Sequence, residues 1–262
     1  MSIEYNCTYK KEILRLALFI GELMISSGAE TYRVEDSIVR ICKSRGFNHI
    51  NVFTSPTVII ISDDRFDGYS FMKVIKHRSI NLNKVALLNS FSRKFVSNTD
   101  LSIKDALCEL KHLESDSPYP TWLINIATAI GSASFAVLVG GDDILTFALT
   151  LITSIIAMVS FEKMMKISNI SAFSTLTASI LIALAGVALT KLGIIDTPKM
   201  LIVGSIMPLL PGVPFIKAVR DLISGDLISG VTRAFEAGIT AFSIASGVGL
   251  ILNIYFKTGG IL

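Results

Sequence analysis

The chain has 262 residues, of which 51% are hydrophobic and only 17% are charged, a balance outside the usual range of soluble proteins. The mean hydropathy of +0.62 predicts a membrane protein. The net charge of +3 is spread along the chain without a basic cluster, which excludes nucleic acid as a predicted partner.

The charges are concentrated in the first half of the chain. Of the 24 Lys and Arg, 16 precede Trp122, and so do 14 of the 21 Asp and Glu. Residues 1–118 are therefore predicted to form a separate polar domain. Arg15 and Glu22 interrupt the first apolar stretch, which argues against a signal peptide and keeps this domain in the cytosol. The three cysteines, which lack metal-ligand spacing, are expected to be reduced thiols: Cys7, Cys42 and Cys108.

The first half predicts a cytosolic α/β (α+β) domain. Apolar residues recur every three or four positions in four segments, which predicts helices over 9–27, 29–45, 81–96 and 103–113. Residues 48–62 are rich in Val, Ile, Phe and Thr around Ser55 and Pro56, which predicts two strands joined by a turn. Residues 69–75 predict a third strand, and Pro118 and Pro120 lie in a short linker.

The second half predicts an all-α transmembrane bundle, residues 119–262. A helix needs about 20 apolar residues to cross the roughly 30 Å hydrocarbon layer. Five such stretches are present, at 122–139, 144–161, 172–192, 200–216 and 234–256. The Lys and Arg residues between these spans favour the side of the first domain. This predicts a multi-pass protein with a cytosolic N-terminal domain and its C-terminus outside.

The fourth predicted span is interrupted by Pro208, Pro211, Gly212 and Pro214. Each proline removes a backbone donor, so a regular helix is not expected there. Two interpretations stay open. The first is an ordinary proline kink, or a span that ends early. The second is a break that lines a substrate pathway, as in transporters with discontinuous helices.

A tandem repeat, DLISG-DLISG, follows the prolines and carries charges close to the predicted membrane. Asp226 and Arg233 are seven residues apart, which predicts that they share a helical face. The charges form either a cytosolic gate or anion-attracting vestibule, or the solvent-facing side of an interfacial helix. The gate is favoured for Arg220, Asp221 and Arg233, and the solvent-facing role for Lys217.

Two further patterns have a structural and a functional interpretation. Residues 28–36, GAETYRVED, place Glu30, Arg33 and Glu35 at the start of a helix, where capping is favoured over a binding site. In the last span, small residues recur every fourth position and predict close helix packing: Ala237, Ala241, Ala245 and Gly249. Five helices are few for an independent transporter, so a second copy or a partner is expected to complete it.

Signals for an enzyme are absent from the sequence. His49, His77 and His112 are isolated, and no phosphate-binding loop, nucleophile elbow or HExxH motif occurs. The chain is predicted not to be an enzyme, and neither a cofactor nor a metal is predicted.

Two of these segments, with the turn between the strands, carry a resemblance to a known family. GAETYRVED at 28–36, the turn at 54–57 and PGVPFIKAVRDLISGDLISGVTRAFEA at 211–237 resemble the N-terminal part of the bacterial threonine/serine exporter family. The resemblance implies a large subunit in the bacterial cytoplasmic membrane that works with a separate small membrane subunit, as in a two-component succinate exporter. The substrates that it implies are succinate-like dicarboxylates or threonine and serine.

The leading hypothesis is a subunit of a secondary exporter for small carboxylate-bearing metabolites. Arg220 and Arg233 are the candidate carboxylate contacts, with Asp221, Asp226 and Glu236 as charge partners or proton sites. The alternative is a membrane-anchored enzyme or sensor whose cytosolic domain binds or hydrolyses a small ligand.

Overall fold

The fold is described by a computed structural model that covers residues 2–64, 70–76, 78–98, 100–115, 119–140 and 143–259, with side chains from Thr8 onward. The chain forms two compact units, Met1–Asp116 with Ile216–Arg233, and Ser117–Phe215 with Ala234–Leu262. Four predicted features lie outside the described residues: the side chain of Cys7, Tyr69, His77 and the linker residues Ser117 and Pro118. The predicted domain boundary at residue 118 therefore stays a prediction.

The first unit begins with a helical hairpin, as its periodicity predicts. Helix α1 spans Ser2–Ser26 and α2 spans Thr31–Ser44. The apolar stripe of α1 and the inward residues of α2 are fully buried. Both connections use glycine in the left-handed region, Gly28 with φ of +85° and Gly46 with φ of +83°, because a helix end commonly needs this conformation.

A three-stranded antiparallel sheet follows the hairpin. Its strands β1 (Ile50–Thr54), β2 (Val58–Asp63) and β3 (Ser70–Val74) lie in the order β1-β2-β3. Ile59 and Ile61 of β2 point into the core and are fully buried. The turn between β1 and β2 is closed by Ser55, whose backbone N–H donates to Val58 O over 2.8 Å. The predicted strand pair with its intervening turn is therefore confirmed.

Helices α3 (Leu82–Ser97) and α4 (Ile103–Ser115) complete this unit. Leu88 and Phe95 of α3 are fully buried in the same apolar core as α1, α2 and β2. The Lys10 ammonium and the Asp63 carboxylate form a buried ion pair between α1 and β2. Since a buried charge needs a partner, this pair fixes the sheet against the first helix.

The second unit is a bundle of apolar helices. It contains α5 (Thr121–Val139), α6 (Ile144–Ser168), α7 (Ser171–Lys191), α8 (Lys199–Ile206) and most of α10 (Leu227–Lys257). Within the described residues, four helices are long and apolar enough to cross a membrane, or up to five if one bent pair counts as a span. Four of the five predicted stretches are thus confirmed as helices of sufficient length, and the fifth, 200–216, falls on the bent pair.

The bent pair is the predicted proline break. Helix α8 ends at Ile206, a 3-10 turn covers Met207–Leu209, and α9 runs over Gly212–Ile223 at an angle of 54° to the first segment. Pro214 is the third residue of α9, where a missing N–H has no intrahelical partner to lose. The proline therefore permits a new helix, and α9 continues to Ile223 rather than ending at 216 as predicted.

The small-residue stripe of the last helix does not pack as predicted. Ala237 is buried, but Ala241, Ala245 and Gly249 are exposed. The close approach lies instead at Gly247, where an added Cβ would be 2.9 Å from the carbonyl oxygen of Leu176 on α7. Within this chain the buried face of α10 instead carries Ser243, Ile244 and Ile251, so the alanines do not form the contact with α7. Packing of the stripe against another subunit stays a prediction.

Candidate functional site

The candidate site lies in the first unit, where the start of α2 meets the segment Ile216–Arg233. The structure brings seven predicted residues into this unit, namely Glu30, Arg33, Glu35, Arg220, Asp221, Asp226 and Arg233. It places Pro208, Pro211, Gly212, Pro214 and Glu236 in the second unit. The two sequence motifs, about 190 residues apart, thus build one charged cluster.

The centre of the cluster is a buried ion pair. Arg233 Nε lies 2.9 Å from Asp221 Oδ2, and the two side chains are 11% and 1% exposed. Arg233 also donates from Nη2 to the carbonyl oxygen of Ala29 over 3.3 Å. Thr31 Oγ1 lies 3.4 Å from Asp221 Oδ1 and 3.0 Å from Asp226 Oδ2, so its hydroxyl is shared by two carboxylates.

This arrangement corrects the prediction that Asp226 and Arg233 share a helical face. Helix α9 ends before Gly225, whose φ is +90°, and α10 begins at Leu227. Asp226 therefore precedes α10 and is not on a helical face with Arg233. The first DLISG copy ends one helix and the second copy begins the next, so the repeat has two conformations.

Two arginines surround Glu30 at the exposed side of the cluster. Arg220 Nη1 donates to Glu30 Oε1, and Arg33 Nε lies 2.7 Å from Glu30 Oε2. The Tyr32 hydroxyl accepts from Arg220 Nη2 over 2.7 Å and from Arg33 Nε over 3.1 Å. The Glu30 side chain is 14% exposed, whereas those of Arg220 and Arg33 are 48% and 49% exposed. Both guanidinium groups can therefore reach solvent while they hold a protein carboxylate.

The backbone at Gly28 is held by a third cation. The Lys217 ammonium donates to the carbonyl oxygen of Gly28. An added Cβ at Gly28 would lie 3.0 Å from the carbonyl oxygen of Ser79, and the positive φ further disfavours any side chain. Lys217 therefore binds the first motif instead of simply facing solvent, which corrects the interpretation favoured from the sequence.

The acidic residues of the first motif do not cap α2 as predicted. Glu30 is the N-cap residue, but its side chain makes no capping hydrogen bond. Glu35 Oε1 accepts from the backbone N–H and the hydroxyl of Thr54, each over 2.9 Å. Burial raises the pKa of the Glu35 carboxyl, the Thr54 hydrogen bonds oppose this increase, and the charge of Asp226 adds to it. Glu35 thus links the sheet turn to the cluster.

Sequence reasoning missed several polar residues that the structure makes prominent. Thr31 and Tyr32 stand between the predicted charges, and a pattern of charges alone does not reveal neutral hydrogen-bonding partners. In the second unit, Asn125 Nδ2 donates to Glu162 Oε1 over 2.9 Å. Asn and Glu in otherwise apolar spans were the available signal, since polar residues in membrane helices are commonly functional.

The fold and the site together indicate a class of membrane protein. An apolar bundle with a discontinuous helix, joined to a cluster of paired arginines and carboxylates, is typical of multi-pass membrane transport proteins. Residues 15–255 match the threonine/serine exporter family (ThrE), and the chain belongs to that family. The resemblance and the exporter interpretation predicted from the sequence are confirmed at this level.

Several bacterial proteins are similar to the chain. The "Probable succinate transporter subunit YjjP" of Klebsiella aerogenes is 23% identical over 95% of this chain and 96% of its own length. The protein of the same name in Escherichia coli is 24% identical over 95% of this chain and 97% of its own length. The "Threonine/serine exporter" of Corynebacterium glutamicum is 24% identical over 92% of this chain but only 51% of its own length. No solved structure matches the chain.

Proposed function

We propose that this protein is a subunit of a secondary exporter that moves small carboxylate-bearing metabolites, either succinate-like dicarboxylates or threonine and serine, out of a bacterial cell. The first unit is cytosolic in this proposal, the second spans the cytoplasmic membrane, and the C-terminus is outside. A separate small membrane subunit completes the exporter. Two relatives are named as transporter subunits, which supports the need for a partner.

The observation that carries the proposal is the double arginine contact with Glu30. A planar guanidinium binds carboxylates through two parallel donors, and it does so whether the carboxylate belongs to the protein or to a solute. Arg220 already uses both Nη atoms, one on Glu30 and one on Tyr32. A substrate carboxylate that replaces Glu30 would keep the arginine contacts and release the start of α2. The cluster would thus act as a gate opened by the substrate.

The segment that carries the gate is continuous with the transport unit. Arg220 is six residues after Pro214, and α10 runs from the cluster into its apolar part without interruption. Release of Glu30 would therefore act on the segments that precede and follow the gate in the chain. Arg233 and Asp221 hold that segment in place, since removing one partner of a buried ion pair is costly.

The test is efflux of labelled succinate and labelled threonine from cells that produce this chain with or without a small membrane subunit of the same exporter family. Efflux that requires both chains supports the two-subunit exporter and identifies its substrate. No efflux of either compound in any combination would contradict the proposal. Residues 1–118 would then be produced alone and assayed as a ligand-binding or hydrolytic domain.

A further inference from the structure

The chain passes between the two units three times, after residues 116, 215 and 233. Beside the second passage, the Lys217 ammonium donates to the carbonyl oxygen of Gly28. At the third passage, Arg233 Nη2 donates to the carbonyl oxygen of Ala29 over 3.3 Å. Two neighbouring residues of the α1–α2 connection therefore hold the chain where it enters the first unit and where it leaves.

The start of α3 lies at the same end of the first unit. The backbone N–H of Asn81 donates to the carbonyl oxygen of Ser27 over 3.0 Å, which joins this segment to the α1–α2 connection. Lys84 Nζ donates to the carbonyl oxygen of Glu114 over 2.7 Å, two residues before the first passage. All three passages thus leave the first unit close to the start of α3.

An apolar surface is exposed at this end. Ile80, Leu82 and Ile216 are 52%, 63% and 68% exposed. An added Cβ at Gly28 would lie 3.6 Å from Ile80 Cα, so Ile80 is beside the residue that holds Lys217. Single exposed apolar residues need no explanation, but several at one end of a unit are typical of an interaction surface.

The segment that forms this surface contains no negative charge. Residues 68–99 include no Asp or Glu and six basic residues: Lys73, Lys76, Arg78, Lys84, Arg93 and Lys94. Two of them pair with carboxylates of other segments, but the exposed Lys76 forms no ion pair with the residues that the structure describes. Lys76 precedes Ile80 by four residues, so a cation adjoins the apolar surface in the chain.

A lipid bilayer is the partner that this surface fits best. Helices α9 and α10 each cross the unit boundary without a break, so no flexible linker separates this end from the apolar unit. Apolar side chains with a neighbouring lysine bind at the boundary between headgroups and acyl chains. The absence of carboxylates from the segment avoids repulsion by anionic headgroups.

We propose that Ile80, Leu82 and Ile216, together with Lys76, form a docking surface for a bilayer that contains anionic lipids. The apolar side chains enter the boundary between headgroups and acyl chains, and the lysine ammonium binds the phosphate groups. Docking would hold the α1–α2 connection, and with it the charged cluster at Glu30, at the membrane surface. The inference does not depend on which solute is exported.

The experiment measures lipid contact of the purified full chain in nanodiscs. Ile80→Cys and Leu82→Cys are made separately in a chain in which Cys7 and Cys108 are replaced by serine, and each is labelled with the fluorophore NBD. Cys42 is retained, because burial raises the pKa of its thiol to about 12 and keeps it unreactive.

The matched control is Ser97→Cys. Ser97 is the exposed last residue of α3 and lies about 22 Å from Leu82, the first residue of the same helix. The nanodiscs contain phosphatidylcholine alone or with phosphatidylglycerol. Each is prepared with and without a nitroxide lipid that quenches fluorophores near the headgroups.

In nanodiscs with phosphatidylglycerol, the nitroxide lipid should lower the fluorescence at positions 80 and 82 by about half and leave that at position 97 unchanged. Lys76→Gln should restore most of the fluorescence, since one lysine near an anionic surface contributes about a fivefold preference. Lys104→Gln, at an exposed position at the start of α4, is the charge control and should change nothing.

Fluorescence at positions 80 and 82 that the nitroxide lipid does not lower would overturn the docking surface. A blue shift without quenching would overturn it as well, because it would show that a second copy of the chain covers these residues. Quenching that Lys76→Gln leaves unchanged would overturn the contact with anionic lipid. Two labelled positions keep the test valid if one variant fails to fold. Since quenching requires no transport, a quenched chain without efflux would contradict the exporter proposal alone.

Discussion

At the scale of single residues, Arg220 shows how the two motifs depend on each other. Its guanidinium contacts Glu30 and Tyr32, and the charge also lies over the Tyr32 ring at 5.3 Å from the centroid. A flat, forked cation can make all three contacts at once. The lysine ammonium has the same charge but no fork, so the chemistry of this position is specific to arginine.

We therefore expect Arg220→Lys to lower export by about threefold to tenfold, since a half-exposed charge-assisted hydrogen bond contributes about 1 kcal/mol. The measurement is efflux of labelled substrate at matched protein abundance. Arg40→Lys is the control, because Arg40 makes an exposed pair with Asp36 one turn away on α2. If Arg220→Lys exports the substrate as fast as the unchanged protein, the proposed gate at Arg220 is contradicted.

Glu35 makes stability depend on pH. Burial raises the pKa of its carboxyl above the ordinary 4.5, although the Thr54 hydrogen bonds oppose the increase. The folded protein thus holds this proton more tightly than the unfolded chain. The resulting stabilisation is fully present below pH 4.5 and is lost as the pH rises through the folded-state pKa.

Glu35→Gln removes this titration. We expect the unchanged protein to lose thermal stability relative to Glu35→Gln as the pH rises from 4.5 toward neutrality. Thermal unfolding midpoints of the two proteins across this range are the measurement. Asp36→Asn, at the exposed neighbouring position, is the control. If the difference between the unfolding midpoints of Glu35→Gln and the unchanged protein stays constant across this pH range, the raised pKa of Glu35 is contradicted.

At the scale of elements, the last helix is oriented by a glycine that the repeat of small residues did not reveal. An added Cβ at Gly247 would lie 2.9 Å from Leu176 O and 3.2 Å from Ile180 N, both rigid backbone atoms. At Gly249, two residues further, nothing lies within 4 Å of an added Cβ. Gly247 therefore lies at a tight contact of α10 with α7, whereas Gly249 lies at an open position of the same helix.

We expect Gly247→Ala to destabilise the protein by about 1–3 kcal/mol, because α7 and α10 must separate to admit a methyl group. Gly249→Ala should be neutral or slightly stabilising, since alanine is the better helix former. Thermal unfolding of the purified variants in detergent compares them directly. Equal losses at both positions would show that α10 packs through the predicted stripe after all.

The sequence predicts the local elements of this fold but not the contacts between distant segments. Periodicity and turn chemistry are local, so the helices, the strand pair around Ser55 and the break at Pro208–Pro214 could be predicted. The contact between Thr31 and Asp221 joins residues 190 positions apart, and nothing local encodes it. The face that α10 turns toward α7 depends on the close fit of Gly247. The spacing of the alanines alone does not predict which face this is.

At the scale of the whole molecule, the number of membrane crossings depends on the bent pair α8–α9. Four helices can cross a membrane by themselves, and the pair counts as a fifth crossing or as a segment that re-enters on the same side. An odd number of crossings places the two ends of the chain on opposite sides, and an even number places them on the same side. The distribution of Lys and Arg favours opposite sides.

We therefore expect the C-terminus to lie outside while the first unit is cytosolic. Alkaline phosphatase, which is active outside, and green fluorescent protein, which folds inside, are fused in turn after Thr258 and after Ser168 as an internal reference. Phosphatase activity after Thr258 with fluorescence after Ser168 supports five crossings, with a discontinuous but membrane-spanning fourth helix. Fluorescence at both positions would mean that α8–α9 re-enters. In that case Arg220 and Glu30 would lie on opposite sides of the membrane, which would contradict their contact in the first unit and with it the proposed gate.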